Sequence, residues 1–230
     1  MSQNSWRPNR RDFLKAGAAT SALLCYPAYA QKSPPVPLEQ YQAVYFSAAE
    51  WAFVMAACAR LIPSEGDGPG AIETRVPVFI DLQLAGDYGK ATDWYMEGPH
   101  EPSAEHARGF QSPLNPAQIY RQAISYINDW CQKTHGKVFA ELSHDVQDQV
   151  LTACQKNEIG LSHETKEFFN ILLQNTKEGY FADPQYGGNY GMASWSYIGF
   201  PGARASYKEW VDQHNIPYPL GPVSISGERA

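Results

Sequence analysis

Apolar residues recur at three- and four-residue steps in five segments of the chain, and this spacing predicts five amphipathic helices. The first begins after Ser47, whose spacing to Glu50 matches a capping box, and ends before Pro63. The second covers residues 71–85, where Pro77 restarts or kinks the helix. The expected buried stripes of these two helices are Trp51, Val54, Cys58 and Leu61, and then Ile72, Val76, Phe79, Ile80 and Leu84.

The other three helices have their own start and stop signals. Asn115 and Pro116 supply an N-cap followed by proline at the first helical position, and Gly136 ends this helix. Ser143 and Ser162 are the predicted N-caps of the fourth and fifth helices. The stripes expected to face the core are Tyr120, Ile124, Ile127 and Cys131; Val146, Val150 and Cys154; and Phe168, Phe169, Leu172 and Leu173.

Three segments lack helical periodicity. Residues 31–46 are rich in proline and predict an extended N-terminal arm, so that structure begins at Ser47. Residues 86–115 predict a packed irregular loop or a surface that orders against a partner. Residues 180–202 combine glycines with aromatic residues, which predicts an ordered loop layer and not a long helix.

The predicted fold is mainly α. It is a single compact helical domain of about five helices over residues 47–230, with long ordered loops rich in glycine and aromatic residues. The extended arm, residues 31–46, precedes this domain. A short helix around residues 207–212 and a proline-rich tail complete the chain.

The first 30 residues have the features of an export signal. Arg10 and Arg11 are followed by Phe13, Leu14 and a short weakly apolar run, and small residues at Ala28-Tyr29-Ala30 form a cleavage motif. This pattern is typical of a twin-arginine (Tat) signal peptide, which directs folded proteins across the cytoplasmic membrane. We therefore predict that residues 1–30 are a Tat signal peptide and that the mature protein is periplasmic. The alternative is a basic amphipathic helix with a chance arginine pair.

Charge and cysteine content narrow the range of partners. The whole chain has a formal net charge of −6, and removing the leader takes away four basic residues and one acidic residue, which leaves −9. An acidic protein repels phosphate backbones, so nucleic acid is not an expected partner.

Cys58, Cys131 and Cys154 remain after the leader is removed, and each falls on an apolar stripe. We expect buried free thiols, with a Cys131–Cys154 disulfide as the alternative.

The sequence contains no motif for catalysis or for holding a cofactor. It has no HExxH, no Walker A, no GxSxG and no GxGxxG after a strand, and the absence of CxxCH excludes covalent c-type haem. His100 and His106, with Glu101 and Glu105, lie on a loop that imposes no common face, so we interpret them as a solvated polar segment. We therefore predict no catalytic, metal-binding or cofactor-binding residue in this chain.

Several blocks of the sequence resemble the gluconate 2-dehydrogenase subunit 3 family. The matching pieces are the leader around Arg10-Arg11, residues 61–71, Val78-Phe79-Ile80-Asp81, and Phe168-Phe169 leading into residues 178–184. The most specific pieces are Tyr186-Gly187-Gly188-Asn189 and the run from Trp195 to Gly202.

This resemblance implies a subunit of a periplasmic dehydrogenase complex that is membrane-associated through its partners. A large subunit holds FAD and oxidises gluconate or a related sugar acid or polyol, and a multihaem cytochrome c subunit carries the electrons onward. The small subunit holds no cofactor, binds and stabilises the flavoprotein, and provides its Tat signal.

The aromatic and glycine-rich block is the predicted partner interface. Trp195 and Phe200 are the expected anchors, because buried aromatic residues dominate interface energetics. Two alternatives remain at this point: the aromatic residues cover the helical core, or the chain is a carbohydrate-binding module that stacks sugars on Trp195, Tyr197, Phe200 and Tyr190. A stand-alone enzyme is a further alternative. The predicted interface residues are Tyr180, Phe181, Asp183, Pro184, Tyr186, Gly187, Gly188, Asn189, Trp195, Gly199, Phe200, Pro201 and Gly202.

Overall fold

A computed structural model of the chain describes residues 36–101, 108–109 and 111–230. The chain divides into two units, one up to Tyr41 and one from Gln42 onward. In the first unit, the described residues form the 3₁₀ turn Leu38–Gln40. The Tat residues Arg10, Arg11, Phe13 and Leu14 lie outside the described residues, as do His106 and Glu105.

The second unit is helical. In the described residues its α-helices are α1 (Ala48–Leu61), α2 (Val76–Ala85), α3 (Asp87–Lys90), α4 (Pro116–His135), α5 (His144–Gln155), α6 (Phe168–Phe181) and α7 (Ala193–Ile198). Short 3₁₀ turns occur at Phe139–Glu141, Pro184–Tyr186, Tyr190–Met192 and Lys208–Trp210. The described chain has isolated β-bridges but no strand. The prediction of a mainly α domain is confirmed, and the five longest helices are the five predicted ones.

The predicted caps of α1 and α4 are present as complete capping boxes. The Glu50 backbone N–H donates to Ser47 Oγ, and the Ser47 N–H donates to Glu50 Oε2 at 2.8 Å. Asn115 and Gln118 form the same reciprocal pair at the start of α4, and Gly136 ends that helix with a φ of 74°. Local sequence signals therefore placed these helix ends correctly.

Two helix starts and one additional short helix differ from the prediction. Arg75 adopts a left-handed conformation (φ 59°), so the chain turns over residues 71–75 and α2 starts only at Val76, with Pro77 in its first turn. Helix α6 begins at Phe168 and not after Ser162. The Ser162 hydroxyl instead pairs with Thr165 Oγ1 at 3.1 Å, within a separate turn. The short helix α3 interrupts a segment that was expected to lack helix.

Helix α1 lies at the centre of the core and contacts α2, α4, α5 and α6. Because neighbours surround it, its buried face is wider than the predicted stripe and includes Phe53 and Ala57, whereas Trp51 and Leu61 are only partly buried. Four aromatic rings fill the middle of the core in mutual contact: Phe53, Phe139, Phe168 and Tyr120.

The three described cysteines are buried free thiols, as the sequence predicted. Burial raises the pKa of Cys58 and of Cys154 to about 12 and that of Cys131 to about 11. The thiols therefore stay protonated near neutral pH and pack as small apolar groups. The alternative disulfide between Cys131 and Cys154 is absent.

Asp81 is a fully buried carboxylate in the otherwise apolar helix α2. Its Oδ2 accepts the Val44 N–H at 2.7 Å, and its Oδ1 accepts the N–H groups of Tyr45 and Phe46 at 2.9 and 3.0 Å. Phe46 is itself buried in the core. The chain therefore packs on the domain before the predicted start at Ser47, because the α2 carboxylate binds the backbone N–H groups of a bend at Val44 and Tyr45.

We expect Asp81→Asn to lower the free energy of unfolding by about 2–3 kcal/mol, since an amide NH₂ would face backbone N–H donors in place of an acceptor. Urea denaturation at neutral pH measures this loss. Asp93→Asn is the matched control, because Asp93 is exposed and its replacement should change stability by less than about 0.5 kcal/mol. Equal stability of the two variants would contradict this role of Asp81.

Candidate functional site

The C-terminal end of α6 is capped by side chains from the glycine and aromatic block. The last carbonyls of a helix have no partner within the helix and need one elsewhere. The Tyr180 carbonyl accepts the Ser194 hydroxyl, and the Phe181 carbonyl accepts Trp195 Nε1–H at 2.9 Å. The Ala182 carbonyl accepts Asn189 Nδ2–H at 2.9 Å. Three consecutive carbonyls are thus bonded to one short stretch of chain.

Asn189 connects this helix end to the start of α7. Its backbone is left-handed (φ 43°), a conformation that asparagine tolerates better than most residues. Its Oδ1 accepts the Ser194 N–H at 3.0 Å while its Nδ2 bonds the Ala182 carbonyl. Asn189 is completely buried, so it supports the loop from inside and its side chain is not accessible to a partner.

Asp183 ties the C-terminal tail to the same region. Its Oδ1 accepts the Gln185 N–H at 3.1 Å and so caps the turn Pro184–Tyr186. Its Oδ2 accepts the Ile225 N–H at 2.6 Å. Like Asn189, Asp183 is buried and serves the local backbone.

Glycines allow the block to pack closely on the rest of the domain. A Cβ atom on Gly188 would lie 2.2 Å from the Gly179 carbonyl oxygen, and one on Gly202 would lie 2.2 Å from the Val223 carbonyl oxygen. Both distances are far below van der Waals contact, so neither position accepts a side chain without a backbone shift. These glycines are needed for close approach.

The block also contacts two segments that are distant in the sequence. Tyr180 donates its hydroxyl hydrogen to the Pro69 carbonyl at 2.7 Å, and the Tyr190 N–H donates to the Thr74 carbonyl at 3.1 Å. Gly187 lies against Leu82 of α2. The fold therefore brings together residues 61–71, helix α2 and residues 178–202, the same pieces that carry the sequence resemblance.

The predicted interface residues divide by exposure. Those with buried side chains or backbone are Tyr180, Asp183, Gly188, Asn189, Trp195 and Gly202, and those that are partly buried are Pro184, Gly187 and Pro201. The exposed ones are Phe181, Tyr186, Gly199 and Phe200. Trp195 has only 6% of its area exposed, which favours the core alternative for this residue and leaves its ring inaccessible for stacking a sugar.

An exposed aromatic face remains on the block, and we define it as Phe181, Tyr186, Tyr190, Tyr197, Ile198 and Phe200. Each of these side chains has between 44% and 58% of its area exposed. Sequence reasoning placed Tyr190, Tyr197 and Ile198 outside the interface. Tyr197 and Ile198 lie three positions after the buried Ser194 and Trp195 on α7, so helical spacing gave no signal that separates the two pairs. These exposed apolar side chains are a candidate binding surface.

No group of three or more His, Cys, Asp or Glu side chains that could hold a metal ion occurs within residues 36–101, 108–109 and 111–230. In the same residues, none of the helices is both long enough and apolar enough to cross a membrane.

Comparison with known proteins identifies the family to which this helical domain belongs. The family model described as gluconate 2-dehydrogenase subunit 3 matches residues 48–202, and the model of the twin-arginine translocation pathway signal sequence matches residues 7–25. No curated protein and no solved structure matches the chain. The chain therefore belongs to the gluconate 2-dehydrogenase subunit 3 family and carries a signal for export across the cytoplasmic membrane.

Trp195→Ala and Phe200→Ala should differ in their effect on stability. The two rings pack edge to face with centroids 5.1 Å apart, but Phe200 is 44% exposed and Trp195 is buried. Emptying the Trp195 site should cost about 3–5 kcal/mol, whereas losing the Phe200 ring should cost about 1 kcal/mol. Thermal and urea unfolding of the purified variants measure both values. A Trp195 variant as stable as the Phe200 variant would contradict the capping role of the indole.

Proposed function

We propose that this chain is the non-catalytic small subunit of a periplasmic flavin-dependent dehydrogenase complex that oxidises gluconate or a related sugar acid or polyol. In this proposal the chain binds and stabilises a large subunit that holds FAD, and it supplies the Tat signal for both proteins. A multihaem cytochrome c subunit accepts the electrons, and the complex associates with the membrane through these partners. The chain itself holds no cofactor.

The exposed aromatic face is the observation that supports this proposal best. Its residues project from a segment whose backbone is held by Ser194, Trp195 and Asn189, so little conformational entropy is lost when a partner covers it. Aromatic residues are enriched at the centres of protein interfaces, and charged residues are depleted there. Family membership supports a complex with other subunits, and the Tat signal supports export of a folded assembly.

Co-export is the consequence that tests the escort role. Changing Arg10 and Arg11 to Lys should leave both this chain and the FAD-containing subunit in the cytoplasm, because the flavoprotein would have no signal of its own. Fractionation followed by immunoblotting and an FAD-linked activity assay measures the location of each protein. Arg7→Lys is the matched control in the same leader and should leave export unchanged. Normal periplasmic flavoprotein activity in the Arg10 and Arg11 variant would overturn the proposal.

Loss of the partner by a variant that remains folded is the consequence that tests the surface. Phe181→Ala combined with Phe200→Ala should reduce co-purification of the flavoprotein by at least about tenfold, since central aromatic residues contribute about 2 kcal/mol or more each. Val211→Ala is the control: Val211 is an exposed apolar residue of the C-terminal tail, and its replacement should leave co-purification unchanged. Unchanged co-purification of the double variant would mean that the partner binds elsewhere on the chain.

We also expect the isolated chain to show no flavin or haem absorbance.

A further inference from the structure

A cavity of about 660 Å³ lies on the side of α6 that is formed by its first three turns. Tyr88 and Trp94, from the end of α3 and the turn after it, form one wall, and residues of α6 form the opposite wall. Its volume falls within the range of about 300–1,000 Å³ that is usual for small-molecule sites. None of the described residues that line it belongs to the exposed aromatic face.

The first wall is an aromatic corner. The rings of Tyr88 and Trp94 meet edge to face, with centroids 5.9 Å apart and an interplanar angle of 80°. Tyr88 is held in place because its hydroxyl is bonded to Asn175, at 3.2 Å from Oδ1. Such a corner offers two flat apolar surfaces against which the C–H face of a ring or a chain can pack.

The opposite wall consists of amides and carboxylates that are already oriented. Asn175, with 3% of its area exposed, donates from Nδ2 to Glu178 Oε2 at 3.1 Å, and Gln174 Nε2 donates to Glu178 Oε1 at 2.8 Å. Asn170 Nδ2 donates to a Glu167 oxygen at 2.8 Å. Asn175 is fully bonded, because its Oδ1 also accepts the Tyr88 and Tyr120 hydroxyl groups and its Nδ2 also donates to Tyr88. Asn170 and Gln174 each keep a second N–H, and the carboxylate oxygens of Glu167 and Glu178 keep further lone pairs, so this wall offers both donors and acceptors. Adjacent hydroxyl groups, each both donor and acceptor, match that combination.

The charge of the cavity excludes acidic ligands. Among the described residues, the acidic and basic side chains that line it are three carboxylates, those of Glu164, Glu167 and Glu178, together with the Lys166 ammonium group and the His163 imidazole. A ligand with a carboxylate would meet like charges, which disfavours its binding. We propose that this cavity binds a neutral polyhydroxylated ligand, a sugar or polyol of one or two sugar units, between the Tyr88–Trp94 corner and the polar groups of Asn170, Gln174 and Glu178.

Calorimetric titration of the purified full chain tests this site directly. The probes are glucitol, glucose and maltose as neutral ligands, gluconate as the acidic analogue, and choline as a cation that aromatic and carboxylate groups also attract. At least one neutral probe should bind saturably with a dissociation constant in the millimolar range or tighter, and gluconate should bind at least about tenfold more weakly. No saturable binding of the neutral probes, or preferential binding of gluconate or choline, would overturn the proposal.

Variants locate the binding within the cavity. Trp94→Ala and Asn170→Ala should each weaken the neutral probe by at least about tenfold. Tyr95→Ala is the matched control, because Tyr95 is the adjacent aromatic residue, is 78% exposed and does not line the cavity. Asn170 is exposed on α6, so its variant keeps the test decisive if the Trp94 variant unfolds. Glu164→Gln should strengthen gluconate binding, because it removes one of the negative charges that face the ligand. Binding that is indifferent to both Trp94 and Asn170 would overturn the assignment.

Discussion

The C-terminal carbonyls of α6 are the constraint on which the candidate interface depends. A buried helix end must have its free carbonyls satisfied, and here three successive carbonyls are satisfied by side chains of Ser194, Trp195 and Asn189. Those three side chains therefore point inward and fix the loop between them. Tyr197 and Phe200, which follow them in the chain, are exposed. One hydrogen-bonding requirement thus produces both a rigid support and an exposed surface.

Stability and partner binding are consequently linked in this region. Gly188 packs on Gly179 of α6, and Tyr180 bonds the loop at Pro69, so the block has several supports from distant parts of the chain. A substitution among the buried residues would disturb the exposed aromatic face by moving its backbone. Substitutions on the face itself leave these supports in place, which is why the two groups of residues can be separated experimentally.

The two candidate surfaces of the domain have different chemistry. The exposed aromatic face, residues 181–200, offers apolar area with few charges, which suits a large protein surface. The cavity on the other end of α6 offers an aromatic corner and a polar wall with three carboxylates, which suits a small hydroxylated ligand. Helix α6 contributes residues to both, so under these proposals one element positions a protein-binding surface and a ligand-binding cavity.

Local signals in the sequence determined the class of fold, most helix ends and the export leader. Capping at Ser47 and at Asn115, and the apolar stripe of α4, depend on residues three or four positions apart, and such interactions are complete within one helix. Ser162 does not cap α6, because its carbonyl accepts the N–H groups of Thr165 and Lys166 in a separate turn and the helix starts only at Phe168.

Only the tertiary structure decided which residues of the aromatic block are buried. The sequence places Trp195 and Phe200 in the same run. The indole N–H of Trp195 donates to a carbonyl at the end of α6, whereas the phenyl ring of Phe200 has no donor and is exposed. Likewise, Asp81 is recognisable as a carboxylate in an apolar helix, yet its three backbone partners lie more than 30 residues away. Burial and hydrogen bonding between distant segments depend on how the helices pack. The spacing of residues along the chain does not predict that packing.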